Sequence, residues 1–420
     1  MIIFRLALLS LRNRRLTALL TIASIAISVV LLLGVEKIRV SAKESFANTI
    51  SNTDLIVGAR GGGVQLLLYS VFRIGSANNN FSWASYREIA ARPEIAWIVP
   101  LSLGDAHKGF RVLGTNNDYF RNYKFRGDRG LEFSAGGPFA DLFDAVVGAD
   151  VAKTLGYRLG QEIVISHGIG EVSFEDHADK PFRIAGILKK TGTPVDRTVH
   201  VSLEGIEAMH ADWQTGAAPT PDRAVPADVV RQLDLTPTAI TAALVGLKSK
   251  IGVFALQRWV NEYPKEPLTA AIPGIALQEL WSAVGTEEEA LIIVSVMVVA
   301  TALLGMVTAI LSTLNERRRE MAILRSVGAR PLHIMGLLVA EAGTLAILGV
   351  ISGTILLYGA LLIARPLIDA AFGLYIDITT PSGREILNLA AIVAGGFLAG
   401  LVPALRAYRF SLADGLVVRV

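Results

Sequence analysis

Apolar residues gather in four charge-poor blocks, one near the start of the chain and three in its last third. A long stretch of mixed composition separates the first from the rest. The first block, Leu16 to Val35, carries no charge and supplies about the 20 residues a helix needs to cross hydrocarbon. Arg12, Arg14 and Arg15 precede it, and Glu36-Lys37-Ile38-Arg39 closes it. A secretory leader has a shorter apolar core and a small-residue cleavage site close behind, so this run reads as an uncleaved anchor. The second block runs from Ala290 to Leu314 without a charge; the third, Ile334 to Ala364, is broken only by Glu341; the fourth is Ile386 to Leu405. Gly349 and Gly353 form a small-xxx-small pair, and Gly395, Gly396 and Gly400 line a similar surface in the fourth block. Such faces let helices approach closely, and they predict dimer packing through Gly349 and Gly353.

The fold class that follows is a membrane protein with four transmembrane α-helices and a large mixed α+β extracytoplasmic domain between helices 1 and 2. By residue number the expected parts are a cytoplasmic lead-in (1–15), span one (16–38), the large domain with helical stalks (39–286) and span two (287–314). A cytoplasmic connection (315–332), span three (333–364), a short outer loop (365–385), span four (386–405) and a cytoplasmic tail (406–420) complete it. Orientation comes from arginine in the short connections. Arg5, Arg12, Arg14 and Arg15 precede span one; Arg317, Arg318, Arg319, Arg325 and Arg330 follow span two; Arg406, Arg409 and Arg419 follow span four. The loop after span three has Arg365 and Arg384 balanced by Asp369, Asp377 and Glu385. Both termini are therefore expected inside, in the bacterial inner membrane. Lys37, Arg39 and Lys43 oppose this locally, but long domains translocate with little regard to charge.

Composition agrees: of 420 residues 52% are hydrophobic and 18% charged, with a mean hydropathy of +0.48, whereas soluble domains carry about a quarter charged residues. There is no cysteine, so an outer domain is held by packing alone. A net charge of +3 is too small to imply nucleic acid.

Within the large domain, Ser82 caps a helix running toward Ala91, and strands are expected at Ile95–Leu103 and Phe110–Leu113. A strand at Val146–Val147 leads into a helix through Thr154. Further strands fall at Phe182–Leu188, Thr198–Ser202 and Ala239–Leu247, and helices at Leu203–Trp213 and Val253–Tyr263. Ala217 to Pro226 reads as a surface loop, and Ile275 to Glu289 as a helical stalk. Two subdomains are expected.

Little catalytic chemistry appears. The glycine-rich run from Gly58 to Gly63 lacks the Gly-Lys-Ser/Thr ending of a phosphate loop and reads as a flexible loop. His107, His167, His177, His200 and His210 lie in the domain, with Glu171, Glu175, Asp176 and Asp179 around His167 and His177. Zinc takes such donors, which makes His167 and His177 metal candidates, but the spacing fits no compact ligand pattern and the favoured reading is no metal. No nucleophile elbow is present. Glu341 is an intramembrane acid, a functional candidate by default; two turns into span three it predicts structural pairing with interfacial water or an arginine of the preceding connection.

The connection after span two carries the most information: Glu316-Arg317-Arg318-Arg319-Glu320-Met321-Ala322-Ile323-Leu324-Arg325-Ser326-Val327-Gly328-Ala329. Met321, Leu324 and Val327 form an apolar stripe at helical spacing, Gly328 a stop and Pro331 the next start. Such a short amphipathic helix either anchors at the interface or docks into a partner's groove.

This segment resembles the signature after the second span in the FtsX-like, MacB-like family of ABC transporter permeases. The run from Ala7 through Arg15 resembles the family's lead-in, Val147 to Ala152 with Phe182 to Leu188 its periplasmic core domain, and Pro403 through Arg406 and Ala407 to Leu416 its ending. The resemblance implies a permease subunit, non-catalytic itself, whose partners are a separate cytoplasmic ATPase holding ATP and Mg, a second permease copy or a paralogue of it, and an adaptor or lipoprotein in the periplasm. It assigns ATPase coupling to Glu316, Arg317, Arg318, Glu320, Met321, Leu324, Arg325, Val327 and Gly328. Members with a fused ATPase carry it before the first span, so here a separate one is expected. Transport by mechanical transmission is the leading expectation; the alternative is a signalling bridge that activates a cell-wall hydrolase.

Overall fold

The computed structural model describes residues 10–11, 14–167, 175–176, 179–213, 225–314, 318–372, 378 and 381–408. It divides into a helical unit (Met1–Ser41, Gly285–Ile368, Ile376–Val420) and an α/β unit (Ala42–Val284, Asp369–Tyr375). The long helices are α1 (Arg15–Ala47), α2 (Pro273–Leu314), α3 (Arg318–Ser326), α4 (Pro331–Phe372) and α5 (Gly383–Tyr408). Candidate membrane crossings lie in α1, in Ala290–Leu314 of α2, in Pro331–Ile368 of α4 and in α5. The apolar runs thus found the crossings, but the helices outlast them: α1 continues nine residues past the expected end of span one, because its last turns carry Lys43 and Glu44 and give no hydropathy signal.

In the helical unit α4 packs on two sides through small residues. A Cβ on Gly349 would lie 2.6 Å from Cγ2 of Ile25, and one on Gly353 2.7 Å from the carbonyl of Ala26, so this face holds α1 at backbone distance. The pair expected to meet a second copy is therefore occupied within the same chain. Farther round α4, a Cβ on Gly343 would strike the Phe397 ring, while on α5 Gly396 and Gly400 close onto Ala346 and Ala342. Without a hydrophobic drive between helices in lipid, close packing of this sort is what holds spans together.

Among the described residues a twelve-stranded sheet threads the α/β unit. Its main strands are β1 (Leu55–Ala59), β2 (Ile95–His107), β3 (Phe110–Thr115), β4 (Phe133–Gly136), β5 (Asp144–Val147), β6 (Phe182–Leu188), β7 (Thr198–Ser202), β8 (Ala242–Leu247) and β9 (Leu268–Ala271). They lie in the order β9-β1-β8-β2-β3-β7-β5-β6-β4, with β3–β7 and β5–β6 parallel. The 13-residue β2 joins two halves: Ile95 to Leu101 pairs with β8, and Ser102 to His107 with β3. Where two subdomains were expected, β2 makes one sheet, with apolar clusters around Leu55, Val57 and Val245 in one half and Val147, Phe182 and Val199 in the other, and a third that joins Ile56 and Leu244 to Leu113 and Val146 across both.

Local physics sets the details. Ser82 Oγ accepts the Ser85 amide at 3.2 Å and caps the helix Trp83–Ala90 as expected. The expected strand Ala239–Leu247 is interrupted at Thr241, whose hydroxyl accepts the Leu103 amide at 3.0 Å. The helix expected to reach Trp213 stops at His210, and the one expected to reach Tyr263 at Asn261. Gly58 and Ala59 belong to β1 and Gly63 opens the helix Gly63–Ser70, so the run expected as a loop contributes only residues 60–62 to a connection. Most of the loop expected at Ala217 to Pro226 lies outside the described residues.

Candidate functional site

The connection between α2 and α4 is built as a helix with a fixed end. Gly328 takes φ +101°, its amide bonds the Arg325 carbonyl at 3.0 Å, and the Ala329 amide reaches Leu324 at 3.0 Å. These two bonds with a left-handed glycine are a Schellman end, which satisfies carbonyls that helix α3 would leave open. Pro331 opens α4 at the position where its missing N–H costs nothing. Two strongly apolar side chains stand out in solvent, Ile323 at 53% and Val327 at 83% exposure. The stripe expected from the sequence splits here: Met321 is buried with Ala322, Leu324 is half-buried, and Val327 is exposed. Met321 thus fastens the helix to its own chain, and Ile323, which the spacing had not singled out, takes its place on the open face. Glu320 is exposed and Arg325 half-buried; Arg318 lies in α3, and Glu316 and Arg317 lie outside the described residues.

Two polar sets sit in the helical unit. Glu341, in α4, is buried and accepts a hydrogen bond from Ser10 Oγ at 3.1 Å. A hydroxyl of the N-terminal segment is thus one of its partners. The second set joins α1 to the start of α5. Arg39 bonds Glu36 at 2.8 Å, Arg384 stands 3.9 Å from the same carboxylate, and buried Lys37 lies 3.6 Å from buried Glu385. Lys37 and Arg39, which stood against the charge rule in the sequence, are therefore neutralised by carboxylates in place. Beside them a 250 Å³ cavity between α1, α2 and α5 is lined by Leu32, Val299 and Leu303 and, at its polar end, by Glu36, Arg384 and Asn388.

The described histidines of the α/β unit do not gather into one site. Buried His107 lies between the Val164 carbonyl (2.6 Å) and the Tyr157 hydroxyl (2.7 Å). His200 is fully buried, with Nδ1 3.1 Å from the Val146 carbonyl; burial, and then the charge of Arg73, pushes its pKa down to about 3. A neutral imidazole held this way serves the core. His167 pairs through its backbone with Asp105, and His177 lies outside the described residues. Among the described residues no group of three His, Cys, Asp or Glu is placed to hold a metal ion. Asp105 and His210 stand 3.8 Å apart.

The chain matches the family model of the MacB-like periplasmic core domain over residues 18–236 and that of the FtsX-like permease C-terminal region over residues 292–412. Among solved structures it is similar to the periplasmic region of MacB from Actinobacillus actinomycetemcomitans, at 14% identity and a TM-score of 0.34, covering 56% of this chain and 96% of that one. It is also similar to the extracellular domain of the noncanonic ABC-type transporter YknZ from Gram-positive bacteria, at 12% identity and a TM-score of 0.30, covering 52% and 99%. No curated protein matches.

Proposed function

This chain belongs to the FtsX-like, MacB-like family of ABC transporter permeases, and on that premise we propose that it passes the work of a separate cytoplasmic ATPase to its α/β unit across the bilayer. The ATPase holds ATP and Mg, and this chain carries out no chemistry of its own. Movement of the α/β unit in the periplasm drives export or extraction of a substrate. A second permease copy completes the transporter, and an adaptor or lipoprotein meets the α/β unit. The termini and α3 face the cytoplasm of the bacterial cell.

The observation that carries this reading is α3: a helix fixed at its end by a Schellman turn and anchored by Met321, yet presenting Ile323 and Val327 to solvent. Exposed aliphatic anchors spaced one turn apart suit a groove on a partner. The dimer contact lies away from Gly349 and Gly353, whose face α1 already fills. Of α2's crossing, Leu291, Val294 and Met297 are open at 55%, 53% and 63% exposure, which leaves this helix a surface for lipid or a second copy.

The test is co-purification. Ile323→Asp and Val327→Asp are expected to leave the chain inserted in the membrane and to release the ATPase. Unchanged recovery of ATPase with both variants would remove the docking role.

A further inference from the structure

A 360 Å³ cavity in the α/β unit lies among the end of α1, the first turn of β3 and the segment before β7. Its floor is aromatic: Phe46 and Phe72, with ring centroids 4.7 Å apart, and Phe110. Its charged wall is Arg73, Arg111 and Arg197. Arg73 and Arg111 also line a second cavity of 150 Å³, so the two guanidinium groups stand between both spaces.

These arginines are placed by the fold at some cost. Arg73 follows the helix Gly63–Ser70 with φ +60°, a conformation uncommon for a long side chain. Its buried Nε has no hydrogen-bond partner among the described residues, and its other nitrogens reach only the Ser70 carbonyl and the Tyr119 hydroxyl. Arg111 donates to the Gly75 carbonyl at 2.9 Å; burial first, and then the like charge of Arg73, lowers its pKa. Arg197 lies over the Phe110 ring at 5.5 Å. The hairpin turn Lys108-Gly109, with both residues at positive φ, presents β3 to the cavity.

One carboxylate, Asp150, also lines the cavity, and it and nearby Asp196 are engaged by other groups. Asp150 bonds Lys190 at 2.8 Å. Buried Asp196 accepts the Thr191 amide and hydroxyl on one oxygen (2.8 Å each) and the Gly192 amide on the other (2.7 Å). Among the described residues no ion pair neutralises Arg73, Arg111 or Arg197. Half-buried guanidinium groups such as Arg73 and Arg111, paired with no carboxylate among the described residues, attract an anion, and their planar forks suit carboxylate or phosphate oxygens. The phenyl rings beside them suit an apolar body.

We propose that this cavity binds an amphiphilic anion, a phosphate or carboxylate carrying an apolar group, with the charge on Arg73 and Arg111 and the apolar part on Phe46, Phe72 and Phe110. The site is independent of how α3 engages an ATPase, so it stands or falls without the reading above. Both a lipid headgroup and a soluble metabolite offer this chemistry.

The experiment is calorimetric titration of the full chain in nanodiscs of phosphatidylcholine, with hexyl phosphate as the probe. Saturable binding is expected, about ten-fold or more tighter than inorganic phosphate or hexyltrimethylammonium, since each factor of ten needs only about 1.4 kcal/mol. Arg111→Gln should weaken hexyl phosphate by about ten-fold, as loss of a charge-assisted bond does, and Arg111→Lys by less. Lys189→Gln, an exposed residue paired with Glu132, should leave it unchanged. If Arg111→Gln fails to fold, Arg197→Gln on the exposed rim should still reduce affinity, by about three-fold. Repeating the titration in phosphatidylglycerol nanodiscs separates the sources: competition by that lipid makes the ligand a headgroup, and unaltered binding makes it a soluble anion. Equal affinity of wild type and the arginine variants, or equally tight binding of the cationic or the tail-less probe, would overturn the proposal.

Discussion

The helical unit and the α/β unit differ in what brings their elements together. Between α1, α4 and α5 the contacts are made by what is missing: Gly349, Gly353, Gly396 and Gly400 leave room for a neighbouring helix, and any added Cβ collides. In the α/β unit glycines such as Gly148 and Gly205 also sit against neighbouring backbone, but the core itself is closed by bulk, with Phe182, Val199, Val201 and Leu244 filling the space around a sheet. The difference follows from the surroundings. Water drives large side chains together, whereas lipid gives no such drive and leaves close approach of backbones as the main attraction. Deleting volume should therefore harm the core beside the sheet, and adding volume the glycine faces between the helices.

The sharpest break is Phe182→Ala, which empties a buried site beside Phe143 and should cost about 3 to 5 kcal/mol in thermal or denaturant unfolding of the α/β unit. Next comes Gly349→Leu, which forces a side chain into Ile25 and should cost about 1 to 3 kcal/mol. Gly305→Leu, where a Cβ meets nothing within 4 Å, is its control and should be close to neutral. If both leucines behave alike, the glycine faces have no packing role.

A smaller effect depends on pH. Buried His200 has its pKa pushed from 6.5 to about 3, so between those values the unfolded chain takes up a proton that the folded chain refuses. That contribution to stability is whole above pH 6.5 and is lost as pH falls toward 3. His200→Gln should flatten this part of the profile measured by thermal unfolding, and an unchanged slope would show that His200 titrates freely. The smallest effect on folding belongs to Val327→Asp: at 83% exposure it should shift stability by no more than about 0.5 kcal/mol while ATPase recovery falls.

Much of the architecture is legible in the sequence because each unit announces itself by period. The crossing Ala290–Leu314 and the strands Phe182–Leu188 and Thr198–Ser202 fall where the pattern puts them. Gly328 and Pro331 mark the end of one helix and the start of the next because each residue has few other conformations to take. What the pattern lacks is partners. A small-xxx-small pair shows that some helix comes close, but only the fold shows that it is α1 of the same chain. An apolar stripe does not reveal which of its members the chain covers for itself, so Met321 and Ile323 exchange roles. The cavity arginines lie far apart in sequence and meet because β7 runs parallel to β3 with Thr198 opposite Arg111; no local spacing encodes that.

The proposal that α3 engages a cytoplasmic ATPase requires α3 and the α/β unit to lie on opposite sides of the membrane. The chain has no cysteine, so single cysteines can be placed at two exposed serines, Ser326→Cys in α3 and Ser134→Cys in β4, and labelled with a membrane-impermeant maleimide on cells whose outer envelope is permeable to it. Labelling of Ser134→Cys alone until the membrane is broken is the predicted result. Labelling of Ser326→Cys from outside would place α3 beyond the reach of any ATP-driven partner and contradict the account.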